Sequence, residues 1–392
     1  MKKIAFFTAT RAEFGFFTPL LKRVESTEGL EYRLIVSGTH LAPGFGKTID
    51  QIEGRFKIDK RIEMLLDSDS GIGAGKSMAL TQISLVEALD ELDPDILLVA
   101  GDRYESLAAA SSATLLGVPV AHFSGGELTF GSIDDPIRHA ITKLSHLHFT
   151  ATQAYRKRVI QMGEAPQRVF NVGEIGLENI ENIRLLSKEE LQKRLGLAFK
   201  KRNLIVTFHP ETVKKDSADD FKELLFALKE LQDTLVILTR SNADAGGRKI
   251  NEMIDRFVSE TDFAVAFTSL GQQNYLSALQ YVDAVVGNSS SGIIEAPSFK
   301  TATINIGERQ RGRVQAESII NAPAKKDEIL SAIKTIYSDS FREKLQKVKN
   351  PYEKRGGCDM VIQTLLNHDL NSLIPKGFYD IDFKLPKEGQ DG

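Results

Sequence analysis

The chain has 392 residues, 50 Lys and Arg against 53 Asp and Glu, a net charge of −3 at neutral pH and 42% hydrophobic residues. Those proportions are ordinary for a globular enzyme, and the length exceeds what one core usually serves, so two domains are expected. No basic stripe points to nucleic acid as a partner, and the single cysteine, Cys358, excludes an internal disulfide or a cysteine-rich zinc site and suits a reducing cytoplasm. The opening MKKIAFFTATRAEFG starts like a secretory signal, but Arg11 and Glu13 interrupt a short apolar part. No run approaches the roughly eighteen apolar residues of a membrane span. The expectation is a cytoplasmic protein without membrane contact.

Short apolar runs alternate with stretches of helical period almost throughout. Ile4–Thr8 reads as a buried strand followed by a helix over Glu13–Glu25, then a strand over Tyr32–Val36. Residues 38–60 read as irregular, with GTHLAPGFGKT as a surface loop. A helix over Lys76–Leu92, a strand in DILLVAG, a helix over Tyr104–Leu116 and a strand over Val118–Phe123 follow. A helix over 132–145, a strand over His146–Thr150, a helix over Gln153–Met162 and a strand over Arg168–Val172 complete a doubly wound α/β unit, assigned to residues 1–178. Residues 180–202, charged and Leu-rich, read as a linker with one helix.

A second set begins at the strand Asn203–Thr207 and continues with helix Asp219–Glu230, strand Leu235–Thr239, helix Arg248–Val258 and strand Ala264–Phe267. Helix Gln272–Leu279, strand Ala284–Val286, helix Ile293–Pro297 and strand Ala302–Ile306 follow, and helices near Asp327–Tyr337 and Phe341–Val348 close the unit, assigned to 179–357. A last helix near Cys358–Leu366, in a segment 358–370, is expected to pack back on the first domain, and 371–392 to form a tail with little structure. Two similar α/β halves facing each other imply a ligand in the cleft between them.

The motifs gather at predicted C-terminal strand ends, where parallel sheets bind ligands. TRAEFG places Arg11 there, and AGDRYE places Asp102 and Arg103 on the same edge. GIGAGKS (71–77) mimics a phosphate loop, but Ser70 stands where the motif needs glycine and no clear strand precedes it, so it reads as a helix start. The richest stretch is AHFSGGELTFGSIDDPIRHAITKLSH, with His122, Gly125, Gly126, Glu127, Asp134, Asp135, Arg138 and His139. Ser132 and Asp135 have the spacing of a capping box. Asp134 and Asp135 would sit in a first helical turn, and Arg138, four residues after Asp134, would share its face. Structural readings compete: Asp135 as a cap, Arg138 as its ion-pair partner, the glycines as a turn. Arg11, Arg103 and Arg138 together could neutralise a diphosphate. His146 and His148 could meet a metal from one strand face, but no third ligand has matching spacing, so core or network histidines are expected.

In the second set, His209 in FHPET, before Pro210, is fixed in an extended backbone, where it can donate to a phosphate or act as an acid. Asn242 in TRSNAD ends a strand and can touch a base or ribose. GNSSSGIIEA (287–296) follows a strand and opens a helix, which suits a nucleotide diphosphate. Ser289 and Ser290 would add hydroxyl donors there, and Glu295 could accept from ribose hydroxyls.

Together TRAEFG, GDRYE, HFSGGE…SIDDPIRHAITKLSHLH, HP and GNSSSGIIEA…INIGERQRGR resemble the hydrolysing UDP-N-acetylglucosamine 2-epimerases, which begin bacterial sialic-acid synthesis. The likeness covers nearly all of residues 1–320. It implies the glycosyltransferase-B-like architecture, with the UDP-sugar between two Rossmann-like domains and no metal or redox cofactor. It also implies catalytic roles for Asp102 and Asp134 and cleft roles for Arg103 and Arg138. Nucleotide-binding roles follow for His209, Asn242, Ser289, Ser290, Glu295 and Arg309, with Arg11 as the first-loop arginine. The family's usual central loop is H-x-E-G-G-E, with the first acid catalytic; here that position is Ser124, and Glu127, the second acid, remains. Either Glu127 takes over proton transfer or the site suits another sugar, such as the UDP-2,4-diacetamido-2,4,6-trideoxy-hexoses of a related branch.

The reaction this resemblance implies removes UDP and the C2 proton to give a 2-acetamidoglycal, then adds water with a proton on the other face. Asp102 and Glu127 would transfer protons, Asp134 would hold or activate water, Arg138 would orient Asp134, and His209 would assist as an acid. Two other readings remain: a nucleotide-sugar glycosyltransferase of the same architecture, and a nucleotide-sugar-binding regulatory protein. A homodimer or homotetramer is expected.

Overall fold

The computed structural model describes residues 1–43, 48–66, 68, 70–130, 132–211, 217–241 and 246–382. Two wholly parallel sheets organise them. The first has seven strands, β1 Lys2–Thr8, β2 Leu30–Ser37, β3 Lys60–Ile62, β4 Ile96–Ala100, β5 Val120–Phe123, β6 Leu147–Thr150 and β7 Val169–Asn171, in the order β3-β2-β1-β4-β5-β6-β7. The second has six, β8 Arg202–Thr207, β9 Thr234–Thr239, β10 Ala264–Phe267, β11 Ala284–Gly287, β12 Ala302–Ile306 and β13 Ile319–Ala322, in the order β10-β9-β8-β11-β12-β13. Strand order reverses between β1 and β4 and between β8 and β11, and chain ends leaving such a switch point open a crevice.

Parallel strands between helices are buried on both faces, which explains their unbroken apolar sequence. In β1, Phe6 enters one core and Phe7 the other, following the two-residue period of a strand. The first core is aromatic: Phe6, Phe17, Phe123 and Phe149 are fully buried, with Phe17 edge-on to Phe6 and Phe123. The helix Gly357–Asn367 adds Cys358, Val361, Ile362 and Leu365 to that core. Lys2 Nζ caps the same helix by donating to the carbonyls of Leu365, Leu366 and His368 at 2.8, 2.8 and 2.7 Å, a cation where the helix dipole favours one. A small cluster of Ala151, Tyr155, Leu177, Ile293 and Tyr352 joins the two halves.

Several expectations change. The edge strands β3 and β13 are not among the expected elements, because three or four residues with charged or polar members carry little periodic signal. The helix expected over Ile293–Pro297 lies earlier, at Ser290–Ile294, followed by a 3₁₀ turn at Ala296–Phe299. GIGAGKS is the start of the helix Gly71–Leu92, capped by the Ser70 hydroxyl accepting from Gly73 N at 3.1 Å. Within a helix its amides form no cradle for phosphate.

The described part of the tail, residues 371–382, is anchored rather than loose. Tyr379 N donates to Gly163 O at 2.8 Å, and Arg168 Nη1 donates to Leu373 O at 3.0 Å. Lys376 reaches the buried Glu164, which also holds Lys143 and His148, at 2.8, 2.5 and 2.9 Å. Burial opposes the Glu164 charge, but His148, Lys143 and Lys376 outweigh it and hold the carboxyl down at about 2. A depressed carboxyl stabilises the fold above its unfolded value, and that contribution is lost as pH falls toward 2. Lys376→Met should therefore destabilise by about 1–3 kcal/mol at pH 7. The gap to wild type should narrow below about pH 4.5, read as urea midpoints across pH. A gap constant down to pH 2.5 would contradict this.

Candidate active site

Two strand ends of the first sheet start the site. The loop after β4 carries Asp102 and Arg103, and beneath it His122, fully buried on β5, donates from Nε2 to the Gly101 carbonyl at 2.8 Å. Its Nδ1 meets the Thr142 hydroxyl at 3.1 Å. Burial holds the ring at about 3, so it stays neutral and acts as a pin under the loop.

Beyond β5 the chain turns sharply. Ser124 adopts a left-handed φ of +62° while its amide donates to Phe149 O at 3.1 Å. Gly126 follows at φ +79°, and a Cβ there would come within 2.5 Å of Tyr155 O, so only glycine passes this close to the helix Gln153–Gln161. The turn delivers Glu127 into the interior, with 1% exposure. Its Oε2 pairs with Arg313 Nη2 at 2.9 Å, while Oε1 has no hydrogen-bond partner among the described residues.

The next helix, Asp134–Leu144, begins later than expected, and the capping box does not form. Ser132 lies before the cap position, and its hydroxyl donates to Asp134 Oδ2 at 2.7 Å and accepts from Asp134 N at 3.2 Å. Asp135 instead accepts from Thr129 N at 2.5 Å. The expected pairing of Arg138 with Asp134 is also replaced. Arg138, 1% exposed, points inward and forms an ion pair with Asp102, with Asp135 at 3.6 Å. It also donates to the Glu127 carbonyl at 3.0 Å and to Thr129 Oγ1 at 3.3 Å. Burial would raise the Asp102 carboxyl, but Arg138, Arg313, Arg309 and Arg103 outweigh it and hold it below its usual value. Arg138 is thus committed to carboxylates rather than free to neutralise a diphosphate. Arg103 pairs with Glu105 at 3.2 Å, and Arg11 stands exposed at the start of the helix Arg11–Glu25.

The second sheet supplies the facing wall. At the end of β11, Gly287 has φ +129°, and a Cβ there would meet Thr207 O at 1.9 Å, so the position requires glycine. That contact places Asn288 beside the end of β8. Its side chain accepts from His209 N at 2.7 Å and donates to His209 O at 2.8 Å, so the amide fixes the backbone of the histidine. The Asn288 carbonyl accepts from Arg309 Nη1 at 3.2 Å and Gln310 Nε2 at 2.9 Å. His209 Nδ1 meets Ser241 Oγ at 3.3 Å, and Asn242 lies outside the described residues. Ser289 caps the helix Ser290–Ile294, which at five residues has little dipole to offer. Burial raises the Glu295 carboxyl to about 7 against the opposing pull of Ser291 and Arg11.

Between the walls lies a cavity of about 80 Å³ lined by Asp102, Thr129, Ser132, Asp134, Ser290, Arg309, Gln310 and Arg313. Four of the candidate site residues meet there, Asp102, Asp134, Ser290 and Arg309, together with Ser132, expected only as a helix cap. Glu127 and Arg138 stand directly behind, through Arg313 and Asp102, while Arg11, Arg103 and Glu295 do not line this cavity. Arg313, Gln310 and Asn288 were missed, although GNSSSG and GERQRGR contain them. His146 and His148 sit in the core, on Val120 N at 3.1 Å and on Glu164. Among the described residues no cluster of three or more His, Cys, Asp or Glu is placed to hold a metal ion, and no helix is long and apolar enough to cross a membrane.

Two Rossmann-like domains facing a charged cleft define a glycosyltransferase-B-like protein. The same fold occurs in the UDP-GlcNAc 2-epimerase of Neisseria meningitidis, solved bound to UDP-GlcNAc, at TM-score 0.80 and 17% identity over 94% of this chain and 100% of that one. The family model described as UDP-N-acetylglucosamine 2-epimerase matches residues 22–366, and the chain belongs to that family. It is 39% identical to the GDP/UDP-N,N'-diacetylbacillosamine 2-epimerase (hydrolyzing) of Campylobacter jejuni, over 97% of this chain and 99% of that protein. It is 37% identical to polysialic acid biosynthesis protein P7 of Escherichia coli, over 97% and 98%.

Removing the guanidinium of Arg138 would leave the Asp102 and Asp135 carboxylates without the buried cation that pairs with both. Arg138→Met should cost about 3 kcal/mol of stability at pH 7, read by chemical denaturation. Stability equal to wild type would show that the pair does not hold the loop.

Proposed function

We propose that this protein is a hydrolysing 2-epimerase that converts UDP-N-acetylglucosamine to N-acetylmannosamine and UDP. The observation that carries the reading is the convergence of Asp102, Asp134 and, just behind, Glu127 on one small cavity walled by Arg309 and Arg313. In the proposed reaction the C1–O bond to UDP breaks and the bonding pair leaves with UDP, stabilised by Arg309 and the Ser289 and Ser290 hydroxyls. The C2 proton passes to Glu127, and the electrons of that C–H bond form the C1–C2 double bond of a 2-acetamidoglycal. Water, held by Asp134, then adds its oxygen at C1, and the ionised Asp102 carboxylate takes the proton that water gives up and passes it to C2 from the opposite face, while Glu127 sheds its proton to solvent. Residues 1–178 carry the acids and 179–357 bind the nucleotide, with His209 positioned against the phosphates. Asn242 and Glu295 are assigned to the nucleoside and Arg11 and Arg103 to the cleft rim.

A second substrate has support of its own. The Campylobacter jejuni relative is named for a diacetylbacillosamine sugar, and Ser124 is a short, uncharged residue beside the acids. The same chemistry on UDP-2,4-diacetamido-2,4,6-trideoxy-glucose is the alternative. A glycosyltransferase would leave the acids around the cavity without work. The reading includes a cytoplasmic location and a homo-oligomer, the latter supported by Ile72, Leu80 and Ile83, which are 74%, 39% and 62% exposed along the helix Gly71–Leu92.

Incubation in D₂O with each of the two UDP-sugars tests the reaction. Release of UDP with deuterium at C2 of the free 2-epimer is expected, and the faster substrate is the natural one. A product carrying only protium at C2 would point to a transferase or a simple hydrolase.

Ser289→Ala combined with Ser290→Ala should weaken UDP binding by about 1–3 kcal/mol, read by calorimetry. Unchanged affinity would place the diphosphate away from these hydroxyls.

A further inference from the structure

Arg313 is the residue that sequence reasoning left out and the cleft leaves unexplained. It comes from the loop after β12, in the second half, yet its carboxylate partner is Glu127 of the first, 2.9 Å away. The side chains are 8% and 1% exposed. Arg313 Nε and Nη1 have no hydrogen-bond partner among the described residues. A guanidinium held at one nitrogen needs its backbone held instead.

The backbone is held one residue later. Val314 N donates to Tyr155 Oη at 2.8 Å, and Val314 O accepts from Tyr352 Oη at 2.9 Å. Tyr155 Oη donates in turn to Tyr352 Oη at 2.7 Å, which closes a ring in which every group is satisfied. Both tyrosines are fully buried. Tyr155 lies on a helix of the first half, and Tyr352 precedes the helix that returns to it. The hydroxyl pair therefore fixes a loop of the second half from the first half's side.

We propose that Arg313 is a positioning residue for proton transfer, its loop held by Tyr155 and Tyr352 so that its guanidinium fixes the Glu127 carboxylate through Oε2 and leaves Oε1 to act. This rests on the reading of Glu127 as the group that takes the C2 proton. The charged and titratable groups around Glu127 are Arg313, Tyr155, Tyr352 and Glu174, with Arg138 on its own carbonyl and Arg158 on that of Gly126. Burial pushes the tyrosines up, Tyr155 to about 12, and they stay uncharged. Burial and the Glu127 charge push Glu174 well above the usual carboxylate range. Arg313 is thus the one cation paired directly with the Glu127 carboxylate among the described residues.

The test compares wild type with Arg313→Gln, Arg313→Lys and Tyr352→Phe, following UDP release from pH 4.5 to 9. Arg313→Gln should lower kcat by roughly 10²-fold or more, with KM within about threefold, and move the acid limb of kcat/KM up by about one pH unit or more. Arg313→Lys should return the limb toward wild type and recover kcat to within about tenfold of it. Tyr352→Phe should lower kcat and spare KM. An acid limb unmoved in Arg313→Gln, or glutamine and lysine variants that behave alike, would overturn the proposal. Should Arg313→Gln fail to fold, an unchanged kcat in Tyr352→Phe would overturn it. Wild-type enzyme that releases UDP without deuterium at C2 in D₂O would overturn the proton-transfer reading, and this proposal with it.

Discussion

The buried guanidinium of Arg138 sets the arrangement of the cleft. It meets the Asp102 carboxylate, the Asp135 carboxylate and the Glu127 carbonyl from one place in the helix Asp134–Leu144. Three chain segments, the loop after β4, the turn after β5 and the first turn of that helix, are tied to a single cation. A charge so deeply buried is tolerated only when its partners are close and well oriented. That requirement fixes the relative positions of the acids before any substrate arrives, and it keeps Asp102 ionised despite its burial. Preorganised charge of this kind is what a reaction with developing charge at both the sugar and the leaving diphosphate requires.

The sheets supply the geometry on which that cation acts. Both place their functional loops at the C-terminal ends of strands beside a reversal of strand order, β4 and β5 in one and β8 and β11 in the other. Close approaches then set the loops. Gly126 rides against Tyr155 O, and Gly287 rides against Thr207 O, so the chain turns where a side chain would collide. Behind Gly126 lies the Tyr155–Tyr352 pair, through which the halves share hydrogen bonds as well as apolar contact.

Much of this was legible in the chain. Continuous apolar runs announce buried parallel strands, and the acids cluster where those strands end, so the α/β alternation and Asp102, Asp134, Ser290 and Arg309 follow from local pattern and family resemblance. What escaped was non-local. Arg313 is meaningful only through Glu127, in the other half, and nothing near either residue signals the pairing. Lys376 similarly acquires its role from Glu164. Helical spacing offers Arg138 both Asp134 and Asp135, of which Asp135 is met at 3.6 Å, but a long buried side chain is aimed by the interior, where Asp102 waits. The capping box failed for a shift of about two residues in a helix start, the order at which boundaries are decided by tertiary contacts.

The central claim is that buried arginines, Arg138 first, hold the Asp102 carboxylate in its charged form. Carboxyl carbon-13 NMR of aspartate-labelled protein tests it most directly, with the Asp102 signal assigned by its loss in Asp102→Asn. The account predicts that Asp102 remains ionised below 3.8, the ordinary aspartate value, and that it titrates at higher pH once Arg138 is replaced by methionine. An Asp102 signal that titrates at or above that value in the wild-type protein would contradict it.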